Sequence, residues 1–165
     1  MKEVNFNPHN KKEYPPMHTV EHLINGAMVK LFNSGRSLSA HVERKKSRMD
    51  FHLSTAPSDA DAQHLEDEVN AQLRADLPVS FVVTTQEEAA RVYGVDLSRI
   101  PEEATNEVRL ARIGDYDTCL CIGDHVEHTA QCGKLEIYSH SYDQEKERWR
   151  IRFRLSGEDP KYSES

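Results

Sequence analysis

Nine histidines and three cysteines stand in this chain, and two pairs of them have spacing that could do chemistry. His18 and His22 are four apart in HTVEHL. Cys121 and His125 are four apart in CIGDHVEHTAQCG, a stretch that ends on a third cysteine, Cys132, before a glycine. On a helix, residues four apart lie on one side, so both imidazoles of the first pair would point the same way. The second stretch reads in three ways: an ordinary strand and turn, one half of a metal site, or a redox-active thiol cluster. Either pair alone says little, because this many histidines give roughly 0.5 chance occurrences of His-x-x-x-His. Their placement says more, since a rigid helical pair and a pair at the turn of a β-unit could close on one ion. Two imidazoles, a thiolate and a further imidazole suit zinc, whereas calcium, magnesium and manganese prefer oxygen. A redox role for Cys119 and Cys121 has less behind it, as no Cys-x-x-Cys precedes a helix.

The elements that would position these groups are legible in the pattern. PPMHTVEHLINGAMVKLFNSG reads as a helix with proline in its first turn, Val20, Leu23, Ile24, Ala27, Met28 and Leu31 at helical spacing, and a stop at NSG. Small Asn25 and Gly26 leave room in the turn after the histidines. Two strands are expected at 38–44 and 48–53. A helix capped by Ser58 should run to about Leu77 with Ala62, Leu65, Val69 and Leu73 inward. PVSFVVTT reads as a strand, and TQEEAARVYG as a short helix with Thr85 and Glu88 placed as a capping box and Gly94 as stop. DLSRIPEEATNE is a surface loop, and VRLARIG through RFRL a β-meander. The helices and strands come in blocks without regular βαβ alternation, so the class is α+β with a largely antiparallel sheet packed with helices. We divide the chain into a lead-in over 1–15, a single domain over 16–156, and a polar tail over 157–165 that we expect to be disordered.

Composition bounds the partners. At 165 residues, 37% of them hydrophobic, the chain is the size of one domain that buries roughly two-thirds of its unfolded surface. No signal-peptide or membrane-spanning run is present, and an odd number of cysteines argues for reduced thiols, so a cytoplasmic location away from any membrane is expected. Lys and Arg number 21 against 28 Asp and Glu, a formal net charge of −7, the wrong sign for holding RNA by bulk electrostatics. Any RNA contact must be local. ERKKSR is one basic cluster. In ERWRIRFRL, Trp149, Ile151, Phe153 and Leu155 fall on one face of a strand and Arg148, Arg150, Arg152 and Arg154 on the other. That stripe either keeps an edge strand soluble or binds phosphates.

These residues carry a resemblance. HTVEHLINGAMVKLF resembles the His-x-x-x-His helix of the editing domains of alanyl- and threonyl-tRNA synthetases and of their freestanding relatives, which hydrolyse mischarged alanine tRNA. SRMDFHLS, LEDEVNAQLRADLPVSFVVTTQEEA and VRLARIGDYDTCLCIGDHVEHTAQCGKLEIYSHS are similar to further family segments in the same order, so the likeness spans roughly residues 16–155. It implies the threonyl/alanyl-tRNA synthetase editing-domain fold, and His18, His22, Cys121 and His125 as zinc ligands. It also implies an ester hydrolase acting in trans on aminoacyl-tRNA, with Ser- or Gly-tRNA for alanine as substrate. Cys132 would be structural. Cys119, two residues before the ligand, is expected to point to the opposite strand face and pack in the core. Between cysteine and histidine the family has two glycines and a threonine, whereas this chain has Ile122, Gly123 and Asp124. Asp124, able to meet the α-ammonium of an aminoacyl ester, and His52, on the DFHLS strand, are the candidates for catalytic work. The alternative is a non-catalytic zinc-binding module of the same fold that holds a small amino compound or a protein partner.

Overall fold

The computed structural model describes residues 14–99, 105–121 and 123–162. The expected lead-in up to residue 13, Ile122 and residues 100–104 of the expected loop lie outside the described residues. The fold is α+β, with antiparallel sheets and three α-helices among the described residues. Among the described residues no helix is long and apolar enough to cross a membrane.

Helix α1 (Pro15–Phe32) begins with two prolines, whose missing N–H groups are harmless in a first turn. It ends at Asn33, which takes a left-handed φ of 53°. Its apolar stripe, Met17, Val20, Leu23, Ile24, Ala27 and Met28, is fully buried. Helix α2 (Asp59–Arg74) starts on a capping box: Ser58 Oγ accepts the Asp61 N–H at 3.1 Å and the Asp61 carboxylate accepts the Ser58 N–H at 2.8 Å. It stops short of Leu77, because the chain turns at Asp76 with φ 53°. Helix α3 (Gln86–Tyr93) is capped by Thr85, which accepts the Glu88 N–H at 3.1 Å. The Glu88 carboxylate accepts from the Thr84 hydroxyl, so the expected box forms only by half.

The meander expected over the C-terminal third is divided between two sheets. Strands β1 (Ser39–His41), β2 (Ser47–His52), β7 (Arg148–Ser156) and β6 (Lys134–Asp143) form one sheet in that order, and β3 (Val79–Thr85), β4 (Glu107–Ile113) and β5 (Asp117–Leu120) form the other. The first strand is shorter than the sequence suggested, and all three of its residues are exposed. Between β5 and β6 the chain crosses from one sheet to the other through a 3-10 turn at Thr129–Cys132. Gly133 ends that turn at φ +79°, and a Cβ there would stand 2.2 Å from the Ser156 carbonyl oxygen, so the position excludes any side chain.

The main core lies between the four-stranded sheet and helices α1 and α2. Trp149, Ile151 and Phe153 of β7 and Met49 and Phe51 of β2 meet Leu23, Leu65 and Val69 of the helices. Asn70 ties α2 to β6 in both directions, donating to the Leu135 carbonyl at 2.9 Å and accepting its N–H at 2.8 Å. A smaller core, Ala89, Val108 and Leu110, sits between α3 and one face of the three-stranded sheet. The other face of that sheet turns toward α1. After β7 the chain stays docked as far as residue 162. Tyr14 donates to Glu158 at 2.7 Å and the Asp159 N–H to the Gln131 carbonyl at 3.0 Å. These bonds, made by backbone and side chains that a polarity pattern cannot pair, correct the expectation of disorder for 157–162.

Candidate metal centre

Strand alternation builds the wall of the site. Residues two apart on a strand share a face, so Asp117 and Cys119 of β5 and Cys121 just beyond it all turn toward α1. The chain still follows the sheet at Cys121, whose N–H donates to the Arg109 carbonyl at 3.2 Å. Helix α1 comes close because Gly26 has no side chain: a Cβ there would meet Asp117 and Tyr116 atoms at 3.3 Å. Three polar contacts hold the approach. Arg36 forms two bonds to the Asp117 carboxylate at 2.9 and 3.1 Å, Lys30 donates to the Tyr116 carbonyl at 2.6 Å, and Asn25 accepts the Ser37 N–H at 2.7 Å.

Within that frame His18, His22, Cys121 and His125 offer ligand atoms that all lie within 4.8 Å of one another, a group that could hold a metal ion. The Cys121 sulfur is 3.3 Å from Nε2 of His18 and 3.4 Å from Nε2 of His125, and Nε2 of His22 is 3.2 Å from Nε2 of His18. The opposite ring nitrogens are engaged elsewhere. His18 Nδ1 lies 2.8 Å from the Asp124 carbonyl oxygen, which can only accept, so Nδ1 carries the proton and Nε2 presents a lone pair. His125 Nδ1 lies 3.0 Å from the Thr19 hydroxyl, which also takes the Val126 N–H at 3.2 Å. Burial is the first cause that lowers the rings' proton affinity and neighbouring imidazoles the next, with His125 held down to about 2 and His22 well below the ordinary histidine range. Both are neutral at pH 7, the form in which imidazole ligates. The turn after His125 is pinned by Gln131, whose side-chain oxygen accepts the N–H groups of Glu127 at 2.8 Å and His128 at 3.1 Å.

This architecture meets a known one in sequence. Residues 108–152 match the family model described as Threonyl and Alanyl tRNA synthetase second additional domain. The alanine–tRNA ligase of Frankia alni is 35% identical over 125 residues, 75% of this chain and 14% of the relative. That of Idiomarina loihiensis is 35% identical over 124 residues, 74% of the chain and 14% of the relative. The alanine–tRNA ligase of Treponema denticola is 31% identical over 121 residues, 73% of the chain and 20% of the relative. The chain is related to the second additional domain of threonyl and alanyl tRNA synthetases. It spans only 14% to 20% of the length of these ligases. The part of the chain like that second additional domain includes Cys121 and His125, and α1 supplies the histidine pair from outside residues 108–152.

Other residues singled out in the sequence stand elsewhere. Asp124 is exposed, and what reaches the cluster is its carbonyl. His52 ends β2, pairs with Glu147 at 3.8 Å, and lines a separate cavity of about 390 Å3 that none of the four clustered residues borders. Of the arginine stripe, Arg150 makes two bonds to the buried Asp50 at 2.8 and 2.9 Å, Arg148 approaches the same carboxylate at 3.6 Å, and Arg154 bonds Glu136 at 2.6 Å. Arg152 makes no ion pair among the described residues. The expectation for Cys119 is overturned. Its sulfur is 2.6 Å from His22 Nδ1, on the face of Cys121, because a separation of two returns a strand to the same side. The period of two was the signal that could have placed both Cys119 and Asp117 beside the histidines.

Proposed function

We propose that the chain is a zinc-dependent editing hydrolase that cleaves the ester between a wrong amino acid, serine or glycine, and the terminal ribose of an alanine tRNA. The observation that carries this reading is the cluster of three imidazoles and a thiol, opening through His18, His22 and Cys121 onto a cavity of about 560 Å3. The donor set suits zinc, since nitrogen and sulfur ligands in tetrahedral number are its commonest environment and anchored outer nitrogens are the usual companion of such histidines. When bound, zinc supplies Lewis acidity and a lowered proton affinity for an attached water. The chain's own residues do the rest. Thr19 and the Asp124 carbonyl orient rings, Arg36 and Asp117 hold β5 against α1, and the cavity wall formed by Glu21, Asn25 and Arg36 offers polar groups to the aminoacyl end. The Asp124 carboxylate, exposed beside the ligand His125, is the candidate to meet the α-ammonium group.

The relatives are alanine–tRNA ligases by name, which supports alanine tRNA as partner. A second reading keeps the zinc and drops the reaction: a binding module of this fold. Four protein donors favour it, since four complete a tetrahedral shell and leave no position for water.

One experiment separates the two. Purified protein is expected to hold about one zinc per chain, to release serine from seryl-tRNA for alanine, and to lose that activity to a chelator. His22→Ala with Cys121→Ala should abolish zinc retention. Zinc-loaded protein that releases no serine above the uncatalysed rate would establish the module reading. Full metal content in the double variant would refute this ligand set.

A further inference from the structure

The three imidazoles of the centre present Nε2 inward, and two of the outer nitrogens have been accounted for by the Asp124 carbonyl and the Thr19 hydroxyl. The third belongs to His22. Its Nδ1 faces the Cys119 sulfur at 2.6 Å, while its Nε2 is 3.8 Å from that sulfur. Resting on the zinc reading, we propose that Cys119 is a positioning residue of the metal centre, its sulfur accepting the Nδ1–H of His22 so that the ring's Nε2 lone pair faces the ion.

Cys119 is placed for this by the strand. It shares the α1-facing side of β5 with Asp117, and its partner across the ladder is Ala111, small enough to leave the thiol room. His22 and Cys119 are both buried to about nine-tenths at the wall of the cavity, so the contact between them lies largely away from solvent. A buried N–H without a partner is costly, and a ring freed of its anchor can turn or change tautomer.

Two other roles fit the geometry less well. As a direct ligand Cys119 would stand among the Nε2 atoms, where Cys121 is; instead its sulfur is nearer Nδ1 of His22, at 2.6 Å, than Nε2, at 3.8 Å. As part of a second cation site it would act with Asp117 and His22, whose ligand atoms also lie within 4.8 Å of its own. The Asp117 carboxylate already holds the Arg36 guanidinium through two bonds at 2.9 and 3.1 Å. A fixed cation occupies the place that an added one would need. At 3.9 Å, Asp117 stands behind the His22 Nδ1 rather than on it.

The test reads the ring and the metal separately. In metal-free protein labelled with 15N-histidine, NMR should find His22 in the Nδ1–H form. Cys119→Ala should convert it to a mixture of tautomers and weaken zinc affinity by about 10- to 100-fold, the usual effect of losing such an outer partner. Cys119→Ser, whose hydroxyl can accept the same hydrogen bond, should recover most of the loss. Cobalt-substituted Cys119→Ser should keep the full thiolate-to-cobalt charge-transfer intensity of the wild type. Loss of half that intensity would make Cys119 a ligand and overturn the proposal. An Nε2–H ring in the wild type would overturn it without any variant. Metal uptake that is equally tight in wild type and Cys119→Ala would overturn it while leaving the zinc reading intact, whereas no uptake by the wild type would overturn both.

Discussion

His22 and His125 show at the residue scale how burial prepares a side chain for a task. Desolvation, then the neighbouring rings, depresses both below the unfolded histidine value of 6.5. The sign of the consequence follows from linkage: the unfolded chain takes up protons before the folded one does, so stability is whole above about pH 6.5 and declines as the pH falls below it. The decline should approach about 1.4 kcal/mol per pH unit for each histidine while only the unfolded form titrates. Urea unfolding of chelator-treated protein at about pH 7.5, 6 and 5 measures it. Replacing both rings with glutamine should flatten the dependence, and a wild-type stability that is flat over this range would mean that burial does not hold these rings neutral. With zinc present the fall should steepen, since protons then compete with metal for the same nitrogens.

At the scale of the element, β7 carries two roles on its two faces. Trp149, Ile151 and Phe153 are fully buried, and the arginines opposite them cover Asp50 on β2, which has no exposed side-chain surface. Arg150 and Asp50 face each other directly across the ladder, so this arginine satisfies a buried carboxylate. Arg150→Ala should therefore destabilise the protein by about 3–5 kcal/mol, the range for stranding a buried charge, reduced to the extent that Arg48 and Arg148 close in. Arg152→Ala should change stability by less than about 0.5 kcal/mol. If the stripe meets tRNA, Arg152 is the residue to carry it, and its removal should lower the salt slope of binding by about 0.9 for each phosphate that it neutralises. Thermal melts beside binding titrations at several salt concentrations resolve the two effects. A slope unmoved by Arg152→Ala would assign the stripe to the sheet alone.

For the whole molecule, the candidate metal centre lies at a joint. Helix α1 belongs to the main core on the four-stranded sheet, whereas Cys121 and His125 follow the three-stranded sheet, which has its own small core with α3. An ion held by His18 and His22 from one side and Cys121 and His125 from the other would link the two. A ligand that binds only the folded state stabilises by about 2.7 kcal/mol when present at a hundred times its dissociation constant. For a chain of this size, stripping the zinc should then lower the melting temperature by about 5–10 °C. Amide exchange should rise first in β3, β4 and α3, the elements with the smaller core. Equal melting temperatures for zinc-loaded and stripped protein would deny the ion this linking role.

Sequence by itself determined the local matters, since these depend on near neighbours. The histidine pair shares a side of α1 because a helix repeats every 3.6 residues. Trp149 and Arg150 part company because a strand repeats every two, and Ser58 starts α2 because its hydroxyl reaches the Asp61 N–H. Ordered agreement of motifs also named the family and the four candidate ligands. Tertiary structure alone decided how the two pairs meet, through the gap left by Gly26 and the bridge from Arg36 to Asp117, which lie 81 residues apart in the chain. It split the meander between two sheets, since a run of alternating strands does not say which neighbours pair. It tied Arg150 to Asp50, an ion pair that depends on the β2–β7 register. Cys119 falls between the two cases: its face follows from strand alternation alone, but that it lies against the outer nitrogen of His22 depends on α1 and β5 packing at one particular distance.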